Sequence, residues 1–262
     1  MLAEGGAIIN RVIDLHTHIL PGLDDGPATE EGAVAMARAA VAAGTRAMAT
    51  TSHINRGFGL GPAELAGARV ALSERLEREG IELELLQGGE IAHDRLPDLS
   101  EDDLGGLTLG RGRYVLLECP FSPATGLDLM VADLQRRGYD VLLAHPERSP
   151  SFLHTPALLA KLVERGALAQ VTAGSLTGAF GDTVRRAAET MLERGIVHVI
   201  ASDAHDERHR PPGLSGVVDG PQAEWMTETA PAAIVEGRPL PERPPLPRPG
   251  GLRARLRAWS PR

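Results

Sequence analysis

Two histidines, His16 and His18, close the first apolar run of the chain in the stretch "IDLHTHILPGLDDG" (residues 13–26). Residues i and i+2 of a strand share a face, so both imidazoles can point at one spot, which is chelating geometry. The same spacing returns near the end of the domain in "VHVIASDAH", where Asp203 and His205 stand two apart. A metal site needs three or more ligands, and further candidates close other apolar runs: His53, Glu90, Glu118 and His145. Nitrogen and oxygen donors of this kind suit manganese, iron and zinc alike. Cys119 is the only cysteine, which excludes an intramolecular disulfide and a thiolate-cluster zinc site.

These residues sit on a repeating frame. Apolar runs read as seven strands: "IINRVIDLHTH", "TRAMATTSH", "IELELLQGGE", "RYVLLEC", "DVLLAHPER", "ALAQVTAG" and "VHVIASDAH". Helical stretches lie between them, among them "EEGAVAMARAAVAAG", "PAELAGARVALSERLEREG", "LDLMVADLQRRG", "PALLAKLVERG" and "DTVRRAAETMLERG". Glycines such as Gly44, Gly138, Gly166 and Gly195 mark their ends. Seven βα repeats predict an α/β barrel, in which C-terminal strand ends converge on one rim. Six of the seven strands deliver a ligand there, which predicts a polynuclear metal centre. His198 has the opposite strand parity from Asp203 and is expected to face the helical layer.

Composition narrows the function classes. A net charge of −8 argues against a nucleic-acid-binding body. No apolar run is long enough to span a bilayer, and the N-terminal residues lack a secretory pattern, so a cytoplasmic location is expected. A cysteine-based phosphatase loop is absent, because the sixth residue after Cys119 is Thr125 and not arginine. No GxxxxGK[ST] phosphate loop occurs. Amidohydrolases also begin with HxH on a first strand, and many bridge two metals with a carbamylated lysine. The only lysine here, Lys161, falls in a predicted helix, which leaves Glu90 and Glu118 as bridging carboxylates.

With "DLHTHILPGLDDGP", "TTSH", "GGEI", "LLE", "AHPER", "TAGSLTG" and "HVIASDAH…RPP" in order from about Ile13 to Pro212, the chain resembles the PHP (polymerase and histidinol phosphatase) superfamily. More closely, it resembles the metal-dependent bacterial protein-tyrosine phosphatases of capsule and exopolysaccharide loci, the CpsB/YwqE type. The resemblance implies a distorted (β/α)7 TIM-like barrel holding three divalent metal ions, with manganese favoured and iron or zinc the alternatives. His16, His18, Glu90 and Asp203 would hold one ion; Glu90, Glu118 and His145 a second; Asp25, His53 and His205 the third. The phosphate-binding arginines would be Arg148 of "HPER" and Arg210 of "HRPP", with Arg208 close enough in sequence to compete for the second role.

The implied substrate is phosphotyrosine on a cognate bacterial tyrosine kinase. Rival readings are a small-molecule phosphatase such as a histidinol phosphatase, and a non-catalytic metal-binding PHP module. Residues 1–240 would form the phosphatase domain. Residues 241–262, rich in proline and arginine, read as a disordered tail. Its Arg253, Arg255 and Arg257, interleaved with Leu252, Leu256 and Trp259, could contact an anionic membrane or the kinase.

Overall fold

Every strand ladder in the computed structural model, which describes residues 11–122, 126–214 and 216–246, is parallel. The chain runs β1 (Val12–Thr17), α1 (Glu30–Ala42), β2 (Thr45–Thr50), β3 (His53–Ile54), α2 (Pro62–Arg78), β4 (Glu84–Leu86), β5 (Glu90–Ala92) and α3 (Glu101–Leu107). It continues through β6 (Tyr114–Glu118), α4 (Leu127–Arg136), β7 (Asp140–Ala144), α5 (Pro150–His154), α6 (Pro156–Glu164), β8 (Leu168–Thr172), α7 (Ala173–Thr177), α8 (Asp182–Glu193) and β9 (Val199–Ala201). Two short helices, α9 (Pro221–Glu224) and α10 (Ala230–Glu236), flank a π turn at Trp225–Thr229. None of the described helices is long and apolar enough to cross a membrane.

The strands form two sheets, ordered β1-β2-β4 and β3-β5-β6-β7-β8-β9. The α/β architecture with parallel strands expected from the sequence is present as these two sheets, and no closed barrel is seen among the described residues. The expected second and third strands are each broken in two. In the second, the Thr51 hydroxyl donates to the Thr17 carbonyl at 3.1 Å and accepts from the Thr17 amide at 2.9 Å, so a side chain takes over ladder bonds. In the third, the break is at Gly88 and Gly89, where an added Cβ would come within 2.9 Å of Thr51 and 2.6 Å of Leu107. Backbone bonds join the two sheets where β1 meets the end of β9: Asp203 N donates to His16 O and His18 N to Ala204 O, both at 2.9 Å.

A bulge in β1 decides which way the histidines point. Asp14 pairs with Met48 and Thr17 with Thr50, so β1 spends one extra residue between them. The extra residue flips the alternation. Ile13 and Leu15 pack in the inner apolar cluster with Leu116, Leu142 and Val199, and after the bulge His16 and His18 face that same inner side. Asp14 supports the irregular backbone, its buried carboxylate accepting from the amides of His16 at 3.3 Å and Ser202 at 3.0 Å. The larger apolar cluster, including Met36, Met48, Ile91, Leu117, Val171 and Ile200, lies between the sheets' outer face and the helices.

His198 faces that outer layer, 6.4 Å from the Trp225 ring and accepting from Ala169 N at 3.2 Å. Burial, with the Arg243 charge, pushes its imidazole down to about 4. The unfolded chain takes up this proton below about pH 6.5 and the folded chain only below about 4, so stability falls with pH across that window. We expect wild type to lose roughly 2–3 kcal/mol more than His198→Gln between pH 7 and pH 4.5, read from urea unfolding midpoints. Parallel pH profiles for the two proteins would refute this.

The tail expected from residue 241 is described as far as residue 246, and that stretch lies against the body. Trp225 Nε1 donates to Pro241 O at 3.3 Å, and Arg243 donates to Gly195 O at 2.7 Å while its guanidinium sits 5.2 Å from the Trp225 ring. The basic segment with Arg253, Arg255 and Arg257 lies outside the described residues.

Candidate metal centre

The sequence-predicted metal ligands come together from positions on or beside six strands and from the loop that carries Asp25. His16 closes β1, with His18 just past it; His53 opens β3; Glu90 opens β5; Glu118 ends β6; His145 follows β7; and Asp203 and His205 follow β9. His145 (φ 36°) and Asp203 (φ 53°) are the only non-glycine residues with positive φ among the described residues. Non-glycine side chains adopt that backbone at a cost of order 1–3 kcal/mol, and such strain gathers at functional sites.

Glu90 is the hub. It is 1% exposed, and its Oε2 lies 2.9 Å from His53 Nδ1 and 3.4 Å from the Nε2 atoms of both His16 and His18. Its Oε1 meets His145 Nε2 at 2.8 Å. Asp203 Oδ1 stands 3.5 Å from His16 Nε2 and from His18 Nε2, which are 3.2 Å apart. Two ligands bound at about 2.1 Å to one ion lie roughly 3.0–3.4 Å apart, so these donor spacings fit a shared cation. Glu90 Oε2, His53 Nδ1 and His145 Nδ1 are buried without a hydrogen-bond partner among the described residues. Buried polar atoms are rarely left so, and a cation held at Glu90 would satisfy its orphaned oxygen.

A second cluster joins His18, Asp25, His53 and His205, with Asp25 Oδ1 at 3.2 Å from His205 Nε2 and 3.5 Å from His53 Nε2. The predicted trio of Glu90, Glu118 and His145 does not gather as one group. Glu90 instead clusters with His16 and His145 on one side and with His53 and Glu118 on the other.

Charge balance explains the electrostatics. Burial alone would raise the Glu90 carboxyl, but the His16 charge, the hydrogen bond from His145 and the close imidazoles of His16 and His18 overcome it and hold Glu90 well below the usual carboxylate range. Glu118 is pushed up to about 7, first by burial and then by the charge of Glu90. Asp203 is lowered against its burial by the charges of His16, His145, His18 and Arg210. Two carboxylates this close repel unless a cation lies between them.

The arginines reach the same place. His145 leads into a 3₁₀ turn, Pro146–Arg148, and Arg148 Nη1 donates to Asp203 Oδ2 at 2.6 Å. Arg210 Nη2 donates to the same oxygen at 2.6 Å. Arg208, the competitor for this role, is 80% exposed and lies beside Glu207. Asp203 thus turns one oxygen to the histidines and the other to two guanidinium groups.

Several contributors escaped the sequence reading. Asp24, neighbour of the expected Asp25, accepts from His18 Nδ1 at 2.8 Å and from His53 N at 2.9 Å, which leaves His18 Nε2 aimed at Glu90. Gln170 Oε1 pairs with His16 Nδ1 at 3.0 Å and does the same for His16. Its signal was a lone amide inside the otherwise apolar "ALAQVTAG". Glu147, fully buried, accepts from Thr172 N at 2.8 Å and Ser175 Oγ at 2.7 Å, tying the arginine turn to α7. Cys119 is buried and its thiol is pushed well up by burial, as a packing residue requires.

Gly26 closes the aspartate loop where no side chain fits, since an added Cβ would lie 2.0 Å from His18 O. Gly26→Ala should shift Asp24 and Asp25 and weaken metal retention by about 10–100-fold, measured as metal per chain after dialysis against graded chelator. Unchanged retention would mean that the loop does not serve the centre.

Residues 12–229 match the family described as capsular polysaccharide synthesis, CpsB/CapC. The tyrosine-protein phosphatase YwqE of Bacillus subtilis (strain 168) is 39% identical over 204 residues, covering 76% of this chain and 79% of YwqE. The tyrosine-protein phosphatase CpsB of Streptococcus pneumoniae is 28% identical over 219 residues, covering 79% and 88%. A chain from the crystal structures of YwqE and CpsB, metal-dependent tyrosine phosphatases, superposes with a TM-score of 0.81 at 34% identity, covering 90% of this chain and 98% of that one. The histidine and carboxylate cluster at the strand ends therefore sits in a chain that belongs to the CpsB/CapC family.

Proposed function

We propose that this chain is a metal-dependent protein-tyrosine phosphatase acting on phosphotyrosine of a bacterial tyrosine kinase in polysaccharide regulation. The observation that carries the reading is the buried, unpartnered Glu90 Oε2 among three imidazoles, beside an aspartate that also holds two arginines. His16, His18, Glu90 and Asp203 would hold one divalent cation, Asp25, His53 and His205 another, and Glu90, with His145 on one side and Glu118 on the other, would draw these two in around the remaining one, manganese being favoured. Such cations supply Lewis acidity and lower the pKa of an attacking water.

The rest falls to the chain. Arg148 and Arg210 present planar donors suited to two phosphoryl oxygens, orienting the ester and offsetting charge that builds on it. Asp24 and Gln170 hold the tautomers of His18 and His16. Glu118, pushed up to about 7 by burial and the charge of Glu90, would give up that proton on taking up a cation. Residues up to 240 form the phosphatase domain in this reading, the two sheets being arcs of a distorted PHP-type barrel. The cytoplasm, where a lone cysteine stays reduced, is the compartment it implies.

The test is hydrolysis of a phosphotyrosine peptide and of histidinol phosphate side by side, before chelation, after chelation and after manganese is restored. We expect peptide hydrolysis that chelation abolishes and manganese returns. Chelator-resistant turnover, or turnover of histidinol phosphate alone, would overturn the proposal.

A further inference from the structure

Aromatic residues are scarce in this chain, which has only four phenylalanines. One, Phe152, is buried in the core. The other three border the candidate metal centre, each on a different loop. Phe58, 42% exposed after β3, lies parallel to His53 with ring centroids 5.9 Å apart and planes 3° apart. Phe121, 53% exposed after β6, stacks on His145 at 5.7 Å and 23°, and sits 5.1 Å from the Arg148 guanidinium. Phe180, between α7 and α8, lies 4.6 Å from the Arg148 guanidinium and 5.9 Å from that of Arg210.

Core packing does not account for them, since two of the three stay largely in water, where a large apolar ring gains little. Their placement relative to the charge does. His53 and His145 approach opposite oxygens of Glu90, so Phe58 and Phe121 stand behind imidazoles on two sides of the hub. Arg148 is held between Phe121 and Phe180. A phosphate seated by the arginines would find flat apolar faces around its ester group. An aryl ester offers a ring to stack there and keeps the peptide backbone a full ring length farther out. An alkyl ester such as phosphoserine offers only a methylene and would draw the polar backbone between the phenylalanines, where its amide and carbonyl groups lose water.

We propose that Phe58, Phe121 and Phe180 form an aromatic collar that selects phenolic phosphates over alkyl phosphates. This rests on the reading of the site as a phosphate-ester centre. The test uses phenylphosphonate and methylphosphonate, two non-hydrolysable probes that share the anionic head and differ in the ring. Binding to the manganese-loaded full chain is measured by calorimetry, with metal content determined for each protein and peptide hydrolysis assayed separately. We expect phenylphosphonate to bind about tenfold more tightly in wild type, and the Phe58→Ala, Phe121→Ala double variant to bring the ratio to about threefold or less. Phe121→Tyr, which keeps the ring, should retain the preference. An unchanged ratio in the double variant, or equal weakening of both probes, would overturn the collar and leave the rings as mere shields of the histidines. Turnover of the peptide without ring preference would sink the collar alone. Ring preference without turnover would sink the phosphatase reading and leave the collar standing.

Discussion

Replacing Glu90 by glutamine should strip metal from the centre and lower turnover of a phosphotyrosine peptide by about a thousandfold or more. The expectation follows from position. Glu90 Oε1 accepts from His145 and its Oε2 lies among His16, His18 and His53, so one carboxylate faces four predicted ligands through two separate oxygens. Glutamine keeps the shape but removes the charge, and its amide nitrogen would be forced against imidazole nitrogens that must face a cation as acceptors. Metal content by elemental analysis, together with steady-state kinetics, checks the claim. A variant with wild-type metal content and turnover would show that Glu90 is only a buried structural carboxylate. A single-metal ligand gives the contrast: His205→Ala should cost less metal than Glu90→Gln, because it joins only the Asp25 cluster of candidate ligands, whereas Glu90 joins two clusters.

Arg148→Ala should lower kcat/KM on the same peptide by about 10²–10³-fold, comparable with removing one donor from a preorganised anion site. Arg210→Ala should fall in the same range. The double variant should lose less than the product of the two, because both guanidinium groups donate to one oxygen of Asp203 and so act as a unit. Arg148→Lys should fall between wild type and Arg148→Ala, keeping charge while losing the planar fork and the stacking on Phe121 and Phe180. Metal content must be followed in parallel, since Asp203 also faces His16 and His18 through its other oxygen. Full activity in Arg148→Ala with metals retained would remove this arginine from phosphate binding.

Much of this was legible in the residues themselves. Paired side chains two apart, closing apolar runs, announced a chelating rim, because strand alternation and strand-end placement are local properties that the chain carries wherever it goes. The seven βα segments and the parity of His198 were legible for the same reason. What local pattern could not carry was anything set by a partner far along the chain. Strict alternation would have placed His16 on the face opposite Leu15; a bulge, readable only from pairing with β2, puts both inside. The choice between Asp24 and Asp25 depended on which carboxylate reaches His18 and which reaches His205, and the loop that decides it closes on Gly26 against His18 O. Two long strands became four because Thr51 bonds to Thr17 and because Gly88 and Gly89 lie against Thr51 and Leu107. Gln170 and the three rim phenylalanines looked ordinary in sequence, since only the meeting of distant loops and strands gives an amide an imidazole to orient, or a ring an arginine to hold.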